Sequence, residues 1–226
     1  MIYFDKVSKV YGDKCVALDD VTFSVEPGEF ISIVGHSGAG KTTLLKMILA
    51  EEMPTGGGVF FESVNIHSLG KSEMNQFRRR IGSIFQDFRL LPGKTAYENI
   101  AFAMEVAGRT DEEIAADVPY VFELVDLSHK MHNFPHQLSG GEKQRVGIAR
   151  AIVNHPDIII ADEPTGNLDP VNTYDIVQIL KKVNSLGTTV ILTTHNRGVI
   201  DSLAKRVITL DEGRLVRDDK EGKFVL

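Results

Sequence analysis

The run Gly35-His36-Ser37-Gly38-Ala39-Gly40-Lys41-Thr42-Thr43 carries the residue types that hold a phosphate chain. The spacing G-x-x-x-x-G-K-[ST] lets the backbone curl until successive N–H groups point into one concavity, an anion nest. In such a loop Lys41 reaches the β- and γ-phosphates of a nucleotide, and the Thr42 hydroxyl ligates Mg²⁺. Two acids form a second group. Asp162 and Glu163 end the apolar run Asp157-Ile158-Ile159-Ile160-Ala161. An acid at the carboxyl end of a buried parallel strand faces the ligand crevice of an open α/β sheet, so Asp162 is placed to anchor the same metal. Glu163 is placed to accept a hydrogen bond from a water aimed at the γ-phosphate. The third group is Leu138-Ser139-Gly140-Gly141-Glu142, a helix start whose free N–H groups and Ser139 hydroxyl make another anion site. One chain with one nucleotide has no evident need of it. A homodimer that sandwiches nucleotide between two chains does. Tyr11, read as part of a loop ahead of the phosphate loop, is either edge packing or a ring that stacks on a purine.

These groups require a scaffold, and the chain supplies its signals. Phe30-Ile31-Ser32-Ile33-Val34 reads as a buried strand leading into the phosphate loop, and residues 44–50 read as the helix that follows it. Ile2 and Phe4, then Val21, Phe23 and Val25, alternate as half-buried strands do. Residues 54–58, rich in glycine, read as a flexible connector before a strand at Val59-Phe60-Phe61; Arg78-Arg79-Arg80 reads as a solvated helix face. Ile81-Gly82-Ser83-Ile84-Phe85 is a further strand, ending at Gln86. The middle is helical, with capping boxes at Thr95/Glu98, Thr110/Glu113 and Ser139/Glu142. Pro119 interrupts the stripe formed by Ile114, Val118, Val121, Phe122 and Val125, which predicts a kink or break. Asp169-Pro170 opens a later helix, residues 188–194 and 207–210 read as strands, and the charged residues 217–223 read as a loose tail.

The chain has 226 residues with 25 Lys and Arg against 31 Asp and Glu, a net charge of −6. That balance argues against nucleic acid as a partner. The single cysteine, Cys15, reads as a packing residue and permits no disulfide within the chain, which fits a reducing compartment. The N-terminus lacks the pattern of a signal peptide, and the best apolar stretch, residues 100–107, is interrupted by Glu105. A role at a membrane is therefore expected to come through a partner.

Taken together, these segments resemble the ATP-binding-cassette (ABC) ATPase family, essentially from end to end. Residues 35–42 look like its Walker A loop, Gln86 like its Q-loop glutamine, residues 138–142 like its signature motif and residues 158–162 like its Walker B strand. Glu163 falls on the catalytic glutamate, Asn167-Leu168-Asp169 on the D-loop and His195 on the switch histidine. The resemblance implies a single P-loop NTPase domain over residues 1–226, with a mainly parallel α/β sheet core, an antiparallel β lobe and a helical lobe at about residues 90–150. It implies ATP and Mg²⁺ as cofactors, with Lys41, Gln86, Glu163 and His195 acting in catalysis and Thr42, Gln86 and Asp162 around the metal. Residues 35–43, Tyr11, Ser139, Gly140, Gly141, Glu142 and Asp169 would contact nucleotide. Residues 85–92 are similar to the branch of the family acting in bacterial cell division; relatives that power lipoprotein release or macrolide efflux share residues 162–169. The first branch implies a polytopic membrane partner of the FtsX type, contact with other division proteins, a place on the cytoplasmic face of the membrane and control of peptidoglycan hydrolysis. The second implies the same catalysis with a different partner. Residues 87–92, directly after Gln86, are the expected docking segment, with Phe88, Arg89, Leu90 and Leu91 as its contacts; Leu90 and Leu91 could equally cap the local core.

Overall fold

Runs of consecutive β-formers become buried central strands, and a charged, exposed strand closes one edge. In the computed structural model, which describes residues 1–12, 15–220 and 222, they build a six-stranded sheet in the order β10-β9-β3-β8-β7-β6. Its members are β3 (Phe30–Val34), β6 (Ile81–Phe85), β7 (Ile158–Asp162), β8 (Thr189–Thr193), β9 (Arg206–Asp211) and β10 (Arg214–Asp219). All pairs are parallel except the edge pair of β10 with β9. Side chains alternate between the two faces. Ile158 and Ile160 join Ile31, Ile33, Ile191 and Ile208 in one cluster, while Ile159 and Ala161 join Val190 and Leu192 in the other.

Helix α1 (Lys41–Ile48) and a four-stranded antiparallel sheet cover the first face. That sheet runs β2-β1-β4-β5, with β1 (Ile2–Tyr11), β2 (Cys15–Val25), β4 (Gly56–Phe61) and β5 (Val64–Asn65). Helix α2 (Lys71–Arg79) adds Phe77 to the same cluster. The second face is covered by α3 (Ala96–Ala107), α4 (Asp111–Leu124), α5 (Gly140–Ile152), α6 (Pro170–Ser185) and α7 (Arg197–Leu203). The α/β reading with a mainly parallel core and an antiparallel lobe is thus the observed architecture. All three capping boxes form; Thr95, for example, accepts from the Glu98 N–H at 3.2 Å and its own N–H donates to Glu98 at 2.7 Å.

Several local expectations are corrected. Helix α4 continues through Pro119, so the chain does not break there. The proline removes the donor that the Ala115 carbonyl would use, but Ala115 is exposed and water can serve it, while buried Ile114, Val118, Val121 and Phe122 hold the helix against the core. Residues 56–58 are strand, not connector, because they pair with β1. The glycines are what permits it: Gly57 has φ +73°, and a Cβ there would lie 2.2 Å from the carbonyl oxygens of both Asp5 and Lys6. Gly57→Ala is accordingly expected to lower stability by about 1–3 kcal/mol from the left-handed backbone alone. A denaturant midpoint equal to that of the unchanged chain would refute this. Arg78 and Arg79 are exposed on α2, whereas Arg80 caps that helix and, with its side chain still 40% exposed, is paired. It forks onto Glu62 at 2.8 and 2.9 Å, donates to Asp157 and lies over the Phe61 ring, tying the antiparallel sheet to the start of β7. Cys15 is exposed on β2, opposite Tyr11, and packs in no core. Of the expected loose tail, residues 217–219 belong to β10, and Asp218 is held by Arg206 through two bonds of 2.7 Å; residues 221 and 223 lie outside the described residues.

Candidate nucleotide site

Parallel pairing sets four strand ends side by side. Ile33 pairs with Thr193, Thr193 with Asp162, and Asp162 with Phe85, so one row crosses β3, β8, β7 and β6. The residues just past that row are the phosphate loop, His195, Glu163 and Gln86. They line a cavity of about 610 Å³ together with Ala17, and its wall is formed by Gly35, His36, Ser37, Gly38, Gly40, Lys41, Thr42 and Thr43.

The loop is built for an anion. Gly40 stands at the N-cap of α1 with φ 101°, and no side chain caps the helix, so its first N–H groups remain available. Only glycine fits there, since a Cβ would meet the Ala17 carbonyl oxygen at 2.4 Å. Lys41 Nζ donates to the carbonyl oxygens of Gly35 at 2.7 Å and His36 at 3.1 Å, so the ammonium lies folded onto its own loop. Ala39 is buried with its N–H bonded to the His36 carbonyl, and it is not among the cavity-lining residues. Thr42 Oγ1 donates to Asp162 Oδ2 at 3.4 Å. A hydroxyl and a carboxylate converging at the mouth of a phosphate loop are the hard oxygen donors that Mg²⁺ takes, and Mg²⁺ commonly uses only one or two carboxylates beside phosphate oxygens. The residues present fit that ion.

Glu163 has φ +47°, a left-handed backbone that glutamate adopts rarely. Its carboxylate contacts His195 Nδ1 at 3.0 Å. The Glu163 side chain is 16% exposed and that of His195 69%, so the acid is sheltered and the imidazole stands at the rim. Gln86 Nε2 donates to Asn167 Oδ1 at 3.3 Å. Directly after Gln86, Phe88 and Arg89 take φ values of +61° and +45°. The Arg150 guanidinium holds this turn by donating to the Arg89 carbonyl at 2.6 Å and the Phe88 carbonyl at 3.0 Å. Burial, and then the nearby Arg89 charge, depresses the pKa of Arg150 below its ordinary value.

A family model described as ABC transporter matches residues 18–166, a segment that includes the phosphate loop, the Ser139 helix start, Asp162 and Glu163. The chain belongs to the ABC transporter family. Curated relatives of this ABC protein include the cell division ATP-binding protein FtsE of Bacillus subtilis strain 168, 46% identical over 99% of this chain and 98% of the relative. The protein of the same name in Mycobacterium tuberculosis is 46% identical over 99% and 98%, and that of Escherichia coli K12 is 45% identical over 95% and 97%. Among solved structures, the dimeric ATP-binding cassette MJ0796 in a post-hydrolysis state bound to ADP and Pi superposes with a TM-score of 0.88 at 36% identity, covering 99% of this chain and all of that one. This ABC protein is an ATPase, with the nucleotide-site geometry described above.

Within one chain of this ABC ATPase, part of the expected site does not come together. Ser139, Gly140, Gly141, Glu142, Asp169 and Tyr11 are not among the residues lining the cavity, nor is Asp162, which reaches its wall through the bond from Thr42. Ser139 and Gly140 are exposed at the start of α5. Ser139 accepts from the Glu142 N–H, and the Glu142 carboxylate accepts from the Ser139 N–H and pairs with Lys130 at 3.3 Å; the backbone bond comes first in holding its pKa down. Asp169 caps α6 by accepting from the N–H groups of Val171 and Asn172, and the Asn172 bond leads in lowering its pKa. Tyr11 ends strand β1 instead of sitting in a loop, because it pairs with Cys15, and Lys9 Nζ stands 4.8 Å from its ring centroid. Three contributors escaped sequence reasoning: Ala17, which has no chemical signature; Asn167, seen only as part of a segment; and Thr193, a buried β-branched residue among others. The doublet Thr193-Thr194 before His195 was the available signal for the last.

Proposed function

We propose that the chain is the ATP-hydrolysing subunit of an FtsEX-like complex in bacterial cell division, peripheral on the cytoplasmic face of the membrane. The observation that carries this reading is near-complete, two-sided similarity to proteins named for cell division in three distant bacteria. No helix among the described residues is long and apolar enough to cross a membrane, so a polytopic partner of the FtsX type would supply the span. ATP-driven change in this chain would pass through that partner to regulate peptidoglycan hydrolysis.

In this reading Thr42 and Asp162 hold Mg²⁺, with Gln86 nearby, and the ion supplies neutralisation of phosphate charge when bound. Lys41 leaves the Gly35 and His36 carbonyls for the β- and γ-phosphates. Glu163 accepts the proton of the attacking water, and His195, at the rim, contacts the γ-phosphate and holds the Glu163 carboxylate. Exposed Ser139 and Gly140 at the N-terminus of α5, with Gly141 and Glu142 next in that turn and exposed Asp169 at the start of α6, would close the site of a second copy, so ATP would join two chains as a homodimer. Tyr11 would stack on the adenine. These residues form one ABC domain over 1–226, its helical lobe at about 90–150.

The partner would dock on residues 87–92. Leu90 packs against the core, whereas Arg89 is exposed and stacks on Phe85 with 3.7 Å from its guanidinium carbon to the ring centroid. Phe88→Asp with Arg89→Glu is expected to abolish co-purification of the membrane partner while ATP binding and melting stay near those of the unchanged chain. Aspartate tolerates the left-handed φ at position 88 better than phenylalanine does, so folding is preserved. Full recruitment by a folded, ATP-binding variant would place the docking surface elsewhere.

A further inference from the structure

All five residues of β8 are buried, and Thr193 is 0% exposed. A valine would fill nearly the same volume with no polar group to satisfy, so a fully buried hydroxyl at this position calls for a partner. Its bonds supply one. Thr193 Oγ1 lies 2.7 Å from Asp162 Oδ1 and 3.4 Å from the Ala161 carbonyl oxygen. A hydroxyl has one hydrogen, and the short contact to a charged acceptor takes it. The lone pairs of the same oxygen accept from the Glu163 N–H at 3.1 Å, and the Thr193 carbonyl oxygen shares that donor at 3.1 Å. Asp162 Oδ2 is left facing Thr42 Oγ1.

We propose that Thr193 is a positioning residue of the hydrolytic centre, its hydroxyl locking the Asp162 carboxylate so that one oxygen faces Thr42 at the cavity wall and holding the left-handed backbone of Glu163. One buried oxygen thereby sets the orientation of both acids. The two acids are adjacent in sequence, and each has a further restraint of its own, Asp162 from Thr42 and Glu163 from the Thr193 carbonyl and His195; among the described residues the hydroxyl is the one side-chain group that contacts both. The inference deepens the function proposed above and rests on its reading of Asp162 as metal anchor and Glu163 as base. Hydrogen-bond partners behind a ligating carboxylate typically matter by 10–100-fold in metal affinity or activity.

The test compares Thr193→Val, Thr193→Ser and Asp162→Asn with the unchanged full-length chain. Calorimetry with a non-hydrolysable ATP analogue, with and without Mg²⁺, gives the factor by which the metal tightens nucleotide binding. Steady-state kinetics across Mg²⁺ concentrations gives kcat and the half-saturating metal concentration. In Thr193→Val the metal-dependent tightening should shrink about 10-fold or more and kcat should fall by a similar factor, with metal-free nucleotide affinity unchanged. Thr193→Ser, which keeps the hydroxyl, should restore both. A Thr193→Val chain that melts lower but retains the Mg²⁺ dependence and kcat, while Asp162→Asn loses them, would show a purely structural threonine and overturn the proposal. An Asp162→Asn chain that keeps its Mg²⁺ dependence would remove the reading of Asp162 itself, and the proposal with it.

Discussion

Glu163→Gln is expected to bind ATP as tightly as the unchanged chain and to hydrolyse it about 10²-fold more slowly or worse, the scale of a general base. The glutamine keeps the shape of the side chain and an oxygen for His195, which now stands 3.0 Å from the carboxylate. What it loses is the charge that takes a proton from water. Because the acid sits on a backbone with φ +47° held from behind by Thr193, the amide should inherit its position, so the loss reports chemistry and not misplacement. ATP should then hold two chains together, visible as a dimer by size-exclusion chromatography. An ATP-loaded variant that stays monomeric and turns over at the normal rate would falsify the assignment.

Lys41→Ala should lose tight nucleotide binding, by roughly 10²-fold or more if two charge-assisted bonds to phosphate disappear. Lys41 is the only Lys or Arg in residues 35–43. Its present bonds, to the Gly35 and His36 carbonyls, are local to the loop, and the loop's shape is independently enforced by Gly40 and Gly35, where a Cβ would strike the Ala17 and Leu210 carbonyl oxygens. The fold should therefore survive. Equal ATP affinity for variant and unchanged chain by titration calorimetry, with both folded, would sink this prediction.

The juxtaposition of the candidate site residues was legible because residue type and topology coincide in the chain. Three of the parallel strands end beside a residue type that serves phosphate or metal: Phe85 precedes Gln86, Ala161 precedes Asp162, and Thr194 precedes His195. Helix starts were equally legible, since Thr95, Thr110 and Ser139 each find their acid three residues on. What sequence could not give was set by neighbours distant in the chain. Residues 56–58 look like a linker until β1 pairs with them, and Arg80 looks unpaired until Glu62 and Asp157 meet it. Pro119 breaks a helix in isolation, yet here the packing of α4 outweighs one lost bond. Thr193 is a generic strand residue until register sets it beside Asp162. Ser139 and Asp169, readable as site residues by resemblance, sit apart from the cavity in a single chain.

The exposed Cys15 makes the molecule addressable. It is the only sulfhydryl in 226 residues, it stands on the antiparallel sheet across from Tyr11, and no disulfide competes for it. A maleimide dye or nitroxide therefore attaches at one known place on the native sequence, without removing other thiols first. In a symmetric pair of chains, the same chemistry yields two identical labels related by a two-fold axis, and the distance between them becomes a single spectroscopic coordinate for opening and closing.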